Sequence, residues 1–218
     1  MGTPYFDVYK RAVTEFKDPT LKNLFETDTV LFCEIMYNFL ENAISMFTNP
    51  LGAKKRVNDR ISPVLYENSF VGDGTTFQFV LTNFPTTEQY DNSVFRYTVG
   101  GESVTGTFDQ TTNTVTLTQI PADASVIELD SYYVGEWNVT LYDMESYLVS
   151  QFLLAAWSQY IQNDKLDIIR LLGDTDFKLT AVSSATSAKS NWNIVNKETV
   201  QKEMTKYSWD AAMEGIYP

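Results

Sequence analysis

Between residues 64 and 135 the sequence is a series of about six short segments with strand character, separated by turn residues. The turns include Gly72-Asp-Gly74 and Gly100-Gly101, and the second of these is a two-residue hairpin signal. Connections this short join antiparallel neighbours, so the region predicts a small antiparallel β-sandwich or barrel. We expect its strands at residues 64–70, 76–81, 94–99, 102–108, 114–119 and 125–134.

The sequence on both sides of this region has helical periodicity instead. Residues 28–49 carry a broad apolar face, with Asp28 placed to cap the helix and Pro50 to stop it. Before this segment, Thr3-Pro4 is a helix start signal, and it predicts a first helix that ends near Phe16. The same spacing and capping rules predict further helices at residues 20–26, 138–162, 164–172, 176–195 and 196–206.

We therefore predict an α+β fold in which the N- and C-terminal helices form one helical bundle. The antiparallel β-sandwich or barrel is inserted into it. In this division residues 1–62 and 136–218 make the bundle domain, which ends in a C-terminal docking tail, and residues 63–135 make the β-domain. Such an insertion is well tolerated when its two ends lie close together.

The amino-acid composition argues against most kinds of catalytic and metal-binding site. The chain has no histidine, which is the usual general base and the commonest metal ligand near neutral pH. Cys33 is the only cysteine, and its place beside the apolar stripe of a helix predicts a buried thiol. No glycine-rich phosphate loop is present, and no apolar stretch is long enough to cross a bilayer. We expect no enzyme activity, no metal, no cofactor and no membrane partner.

The charge balance argues against specific binding to nucleic acid. With 16 basic and 28 acidic residues the net charge is −12, opposite in sign to the surface of a DNA-binding protein. The compact basic run Lys54, Lys55 and Arg56, followed by Arg60, contrasts with this background. It predicts either a contact with a neighbouring subunit or with DNA phosphates, or a solvated linker over residues 51–62.

Two groups of large apolar side chains have possible binding roles. The terminal segment would be badly solvated if it were free, so we predict that it docks on a partner through Tyr207, Trp209, Met213, Ile216 and Tyr217. Tyr132, Tyr133 and Trp137 follow one another at the end of the last strand. They form either an exposed platform that stacks on sugar rings or a seal between the sheet and the helices.

The β-region resembles a known kind of module. The stretch FVGDGTTFQFVL at residues 70–81, with TVTLTQIPADASVIEL at residues 114–129, is similar to small β-modules of virion proteins in tailed bacteriophages. A helical start, an interrupting β-module, returning helices and an aromatic terminus together resemble the head-to-tail connector, or adaptor, proteins of these phages.

The resemblance implies a structural role in the virion neck of a protein made in the host cytoplasm. It implies a homo-oligomeric ring of about twelve copies beneath the portal, through which DNA passes during genome ejection without specific binding. The C-terminal segment would bind the portal, and other surfaces would bind the next neck or tail protein. Two alternatives are a tail-completion or tail-terminator protein with a six-fold ring, and a carbohydrate-binding tail or baseplate component.

Overall fold

The computed structural model of the chain describes residues 2–15, 19–48, 50–172 and 198–213, with the backbone alone at residues 20 and 161–172. Its helices are α1 (Tyr5–Glu15), α2 (Pro19–Thr27), α3 (Thr29–Met46), α4 (Leu51–Asn58), α5 (Thr87–Tyr90) and α6 (Asp143–Leu172), and residues 198–213 are a further helix, α7. The two helices predicted between residues 138 and 172 are thus one. The helix predicted at residues 176–195 lies outside the described residues.

Local sequence signals explain where the N-terminal helices begin. Asp28 caps α3 as predicted, because its carboxylate accepts a hydrogen bond of 2.9 Å from the backbone N–H of Leu31. The linker interpretation of residues 51–62 is wrong, since most of that segment is α4. Ala53 and Val57 lie one turn apart on α4, and both side chains are fully buried.

The strands are short and all of their pairings are antiparallel. They are β1 (Arg60–Ile61), β2 (Val64–Tyr66), β3 (Ser69–Val71), β4 (Gln78–Val80), β5 (Ser93–Val99), β6 (Glu102–Ser103), β7 (Gly106–Asp109), β8 (Thr114–Leu117), β9 (Val126–Tyr133) and β10 (Glu136–Trp137). A five-stranded sheet has the order β2-β9-β5-β6, with β3 also paired to β9, and a three-stranded sheet has the order β4-β8-β7. A two-stranded ribbon joins β1 to β10.

A hairpin turn and a buried asparagine show how the sequence directs these pairings. The predicted hairpin between β5 and β6 is confirmed, with φ of +59° at Gly100 and +84° at Gly101, values that favour glycine. The strand predicted at residues 64–70 is instead divided at Asn68. The buried Asn68 side chain accepts from the backbone N–H groups of Thr82 and Asn83 at 3.1 and 3.0 Å and so holds a neighbouring loop, while the Asn68 backbone carbonyl still accepts from Leu129 N–H of β9 at 2.9 Å.

The predicted helical bundle is wrong. The helices fall into an N-terminal group, α1 to α4, and the long C-terminal α6, and the sheets lie between them in the chain. The main core contains side chains of α1, α3, α6 and α7, but Tyr132 and Val134 from the β-region and Trp137 of β10 belong to it as well. Helix α3 contacts both α6 and β5, so its broad apolar surface is buried partly by a helix and partly by the sheet.

A second core lies between the five-stranded and three-stranded sheets. Both sheets turn alternate side chains toward it, as the period-two pattern requires. Its fully or nearly buried members are Phe79, Leu81, Tyr97, Val115, Leu117, Ile127 and Leu129.

Trp137 on β10 joins the sheets to the helices. Its side chain is fully buried, its ring meets that of Tyr5 edge-on at 4.6 Å, and its indole N–H donates to the Val57 carbonyl at 2.8 Å. Its backbone N–H donates to the Thr3 carbonyl at 2.9 Å. One residue therefore connects the N-terminal segment, α4 and the ribbon.

We expect Trp137→Phe to lower the free energy of unfolding by about 2–4 kcal/mol, because it leaves a cavity and an unpaired buried carbonyl at Val57. Urea unfolding followed by far-ultraviolet circular dichroism measures this change. Trp209→Phe is the matched control, since that side chain is 70% exposed and its loss should change stability by about 0.5 kcal/mol or less. Equal effects of the two substitutions would contradict the role given to Trp137.

Candidate functional site

Helix α7 has one anchored face and one exposed face. Val200, Met204, Tyr207 and Ala211 recur at helical spacing, and all four side chains are buried in the main core. Trp209 and Met213 are one turn apart on the opposite side, where their side chains are 70% and 86% exposed. The helix thus holds two large apolar side chains in solvent on a fixed support.

A polar contact adds to the attachment of α7. The Glu203 carboxylate on α7 lies close enough to the phenol of Tyr147 on α6 to affect its ionisation. The pKa of Tyr147 is raised, by burial first and then by Glu203. This contact places α7 against α6.

The five residues predicted for docking are divided by the structure. Tyr207 is 8% exposed and contributes to the core, while Trp209 and Met213 form the exposed pair. Ile216 and Tyr217 lie outside the described residues. The helical period places Tyr207 on the buried face of α7 and the pair on the exposed face. A partner cannot reach both faces of an anchored helix, so Tyr207 is not available for docking.

The basic run is divided in a similar way. Lys54 and Lys55 are exposed on α4, whereas Arg56 turns inward. The Arg56 guanidinium lies 4.5 Å from the ring centre of Tyr142, and its Nε is 3.4 Å from the Glu145 carboxylate. It also donates to the Thr140 carbonyl.

Arg60, the fourth member of the basic set, is also engaged within the chain. Its guanidinium is 2.8 Å from the Glu41 carboxylate on α3. The cations left facing solvent in this segment are therefore Lys54 and Lys55.

The aromatic residues at the end of β9 are not a surface platform. Tyr132, Tyr133 and Trp137 are 5%, 1% and 0% exposed, and Tyr132 and Trp137 belong to the main core. Their faces cannot stack on a sugar ring from solvent. Their positions favour the interpretation as a seal between sheet and helices.

The described residues contain no group of three carboxylates, cysteines or histidines placed to hold a metal ion. Cys33 is buried as predicted, and burial raises the pKa of its thiol. Among the described helices, none has the length and apolar character needed to span a membrane.

A groove lies beside β5, and no pattern in the sequence predicted it. It has a volume of about 660 Å³ and lies between the sheets and the junction of α2 with α3. Tyr90, Phe95 and Phe108 meet there, with ring centres 5.4–5.7 Å apart, and Arg96 and Asp28 lie on its other side. Alternation places Phe95 and Arg96 on opposite faces of β5, but only the tertiary fold brings Asp28 and Phe108 near them.

No family model, curated protein or solved structure matched this chain.

We expect Arg56→Ala to lower the free energy of unfolding by about 2–4 kcal/mol, because the fully buried Glu145 loses its cation. Lys55→Ala, one residue earlier on the same helix, should change it by about 0.5 kcal/mol or less. Urea unfolding of both variants measures the difference. A Lys55 effect as large as that of Arg56 would contradict the division of the basic run.

We expect the Tyr133 phenol to ionise near pH 12, because burial and the Glu136 carboxylate raise its pKa to about 12. The pKa is raised, so the contribution to stability is present below about pH 10 and is lost as the pH rises toward 12. The ultraviolet difference titration of wild type against Tyr133→Phe isolates this group. An ionisation near pH 10 in the folded protein, as in the urea-unfolded chain, would instead mean a solvent-facing ring.

Proposed function

We propose that this chain is a non-enzymatic structural virion protein of a tailed bacteriophage, a head-to-tail connector of the neck. In this proposal α7 binds the portal, copies of the chain associate in a ring of about twelve, and DNA passes through the ring. Another surface receives the next neck or tail protein.

Helix α7 is the observation that carries the proposal. Trp209 and Met213 leave a large apolar area in water, and tryptophan is the residue type most often found to dominate binding at protein interfaces. Because the opposite face of α7 is buried, the exposed pair is held in place before a partner arrives. Binding then costs less side-chain and backbone entropy than it would for a free tail.

The charges support a role next to DNA without binding to it. A net charge of −12 repels a passing duplex, which suits a channel that must not retain DNA. The exposed Lys54 and Lys55 are a local exception, and they suit a contact with an acidic surface of the neighbouring subunit.

We expect the double substitution Trp209→Ser with Met213→Ser to weaken binding to the portal of the same phage at least about 30-fold, since a buried tryptophan contributes about 2 kcal/mol or more to an interface. Co-purification and biolayer interferometry with that portal measure the loss. Lys206→Ser with Asp210→Ser is the matched control, because it changes two exposed positions of the same helix and keeps the net charge. Unchanged portal binding by the Trp209 and Met213 variant would overturn the assignment of α7.

Mass photometry and negative-stain imaging test the ring itself, on the protein alone and after addition of the portal. Rings of about twelve copies support the connector, whereas rings of about six would replace it with the tail-terminator alternative. Monomers under both conditions, with no complex on the portal, would overturn the proposed function.

A further inference from the structure

Strand β5 has an open edge along the groove. Two backbone hydrogen bonds lie at the ends of its ladder with β9. Val134 N–H donates to the Asn92 carbonyl at one end, and Gly100 N–H donates to the Val126 carbonyl at the other. In an antiparallel ladder these two bonds require that Val94, Arg96 and Thr98 direct their backbone groups to β9. Ser93, Phe95 and Tyr97 then direct theirs to the other side.

On that other side β5 is only partly covered. Strand β6 pairs with it at Thr98 and Val99, and one further bond joins Val104 N–H to the Tyr97 carbonyl at 2.9 Å. Within the described chain, the outward backbone groups of Ser93 and Phe95 have no strand beside them. After Val104 the chain leaves β5 and pairs with β8 as β7.

Strand β7 leaves a second open edge on the same groove. The bond from Thr118 N–H to the Thr105 carbonyl makes Gly106 and Leu117 a non-hydrogen-bonded pair, so the backbone groups of Gly106 and Phe108 point away from β8. Both residues line the groove, as do residues 94–98 of β5. Two strands therefore present free backbone groups to one space.

The walls of the groove are chemically different. On the side of the second core, Tyr90, Phe95 and Phe108 form a half-buried aromatic cluster. On the other side, Arg96 lies 2.8 Å from the Asp130 carboxylate and 3.5 Å from that of Asp28. A strand in this space would turn one set of side chains to the aromatic wall and the alternate set to the charged wall.

Around the charged wall, the described carboxylates outnumber Arg96. Arg96 and Asp28 line the groove, and Asp130 and Glu34 of α3, which do not line it, are close enough to Arg96 to interact with it. Burial raises the pKa of Glu34, Arg96 opposes this effect, and Asp28, Asp130 and Glu67 add to it. An occupant with a lysine or arginine on this side would balance the negative charge.

We propose that this groove binds an extended segment of a separate protein, which adds as a strand to the open edge of β5. The segment carries an aromatic or branched apolar side chain toward Tyr90, Phe95 and Phe108, and a basic side chain at an adjacent position toward Asp28. Strand addition of this type takes its affinity from backbone bonds and its specificity from alternate side chains. A second copy of this chain is disfavoured as the donor, since each copy has a net charge of −12.

The proposal is independent of the neck function and has its own test. The probes are acetylated nonapeptides in which valine, isoleucine, phenylalanine or tyrosine alternates with threonine and lysine, titrated against the full-length protein by fluorescence polarisation. Each peptide has a scrambled control and two N-methylated versions, which lack the backbone donors on one or the other edge of the strand. These controls need no change in the protein, so its folding is not in question.

We expect binding that falls at least tenfold on scrambling and in at least one N-methylated version. Hydrogen exchange should show new protection at residues 93–97. Asp28→Asn keeps the α3 cap, because asparagine also accepts the Leu31 bond, and should weaken lysine peptides about two- to fivefold by loss of a charge contact at a partly exposed site. Asp123→Asn, an equal charge change on an exposed loop residue, should have no effect.

Three results would overturn the proposal. The first is the absence of binding by the whole peptide set at millimolar concentration. The second is binding that is indifferent to N-methylation, or that protects residues other than 93–97. The third is dissociation of the protein's own oligomers by the peptides, which would make a second copy the occupant.

Discussion

Burial of Trp137 is the interaction on which the rest of the structure depends. Its backbone lies between Thr3 and the β1 strand, while its indole reaches Val57 of α4. A Cβ at Gly2 would stand 1.4 Å from the Trp137 carbonyl oxygen, so glycine allows the N-terminal segment to approach this closely. The ribbon, the first helices and the entry to α6 are thereby fixed relative to one another.

This fixed junction explains how the surfaces are arranged. The sheets meet the helices through Tyr132 and Trp137, so the sheet face near the junction is buried. Within the described chain, the edge of β5 that faces away from β9 is open at Ser93 and Phe95, at the end of β5 that pairs beside Tyr132. Helix α7 packs one face into the same core, and its opposite face leaves Trp209 and Met213 in solvent. Two different binding surfaces can therefore exist on one chain without competing for the same core side chains.

Local signals in the sequence predicted individual elements well. Asp28 caps its helix and Gly100-Gly101 makes its hairpin because each depends on residues within a few positions. Predictions that depended on distant partners were less successful. The prediction of a helical bundle was wrong because α3 is buried by β5 as well as by α6. Arg56 was grouped with the exposed lysines because no residue near it in the sequence indicates its contact with Glu145.

The sequence by itself determined the α+β character, the antiparallel order of short strands and the lack of histidine chemistry, since periodicity, turn residues and composition are local properties. Only the tertiary structure decided which face of α7 meets solvent, which cations remain free, and that β5 and β7 part to form a groove. These features depend on contacts between residues far apart in the chain. A pattern of neighbouring residues shows that an apolar face must be buried, but not what buries it.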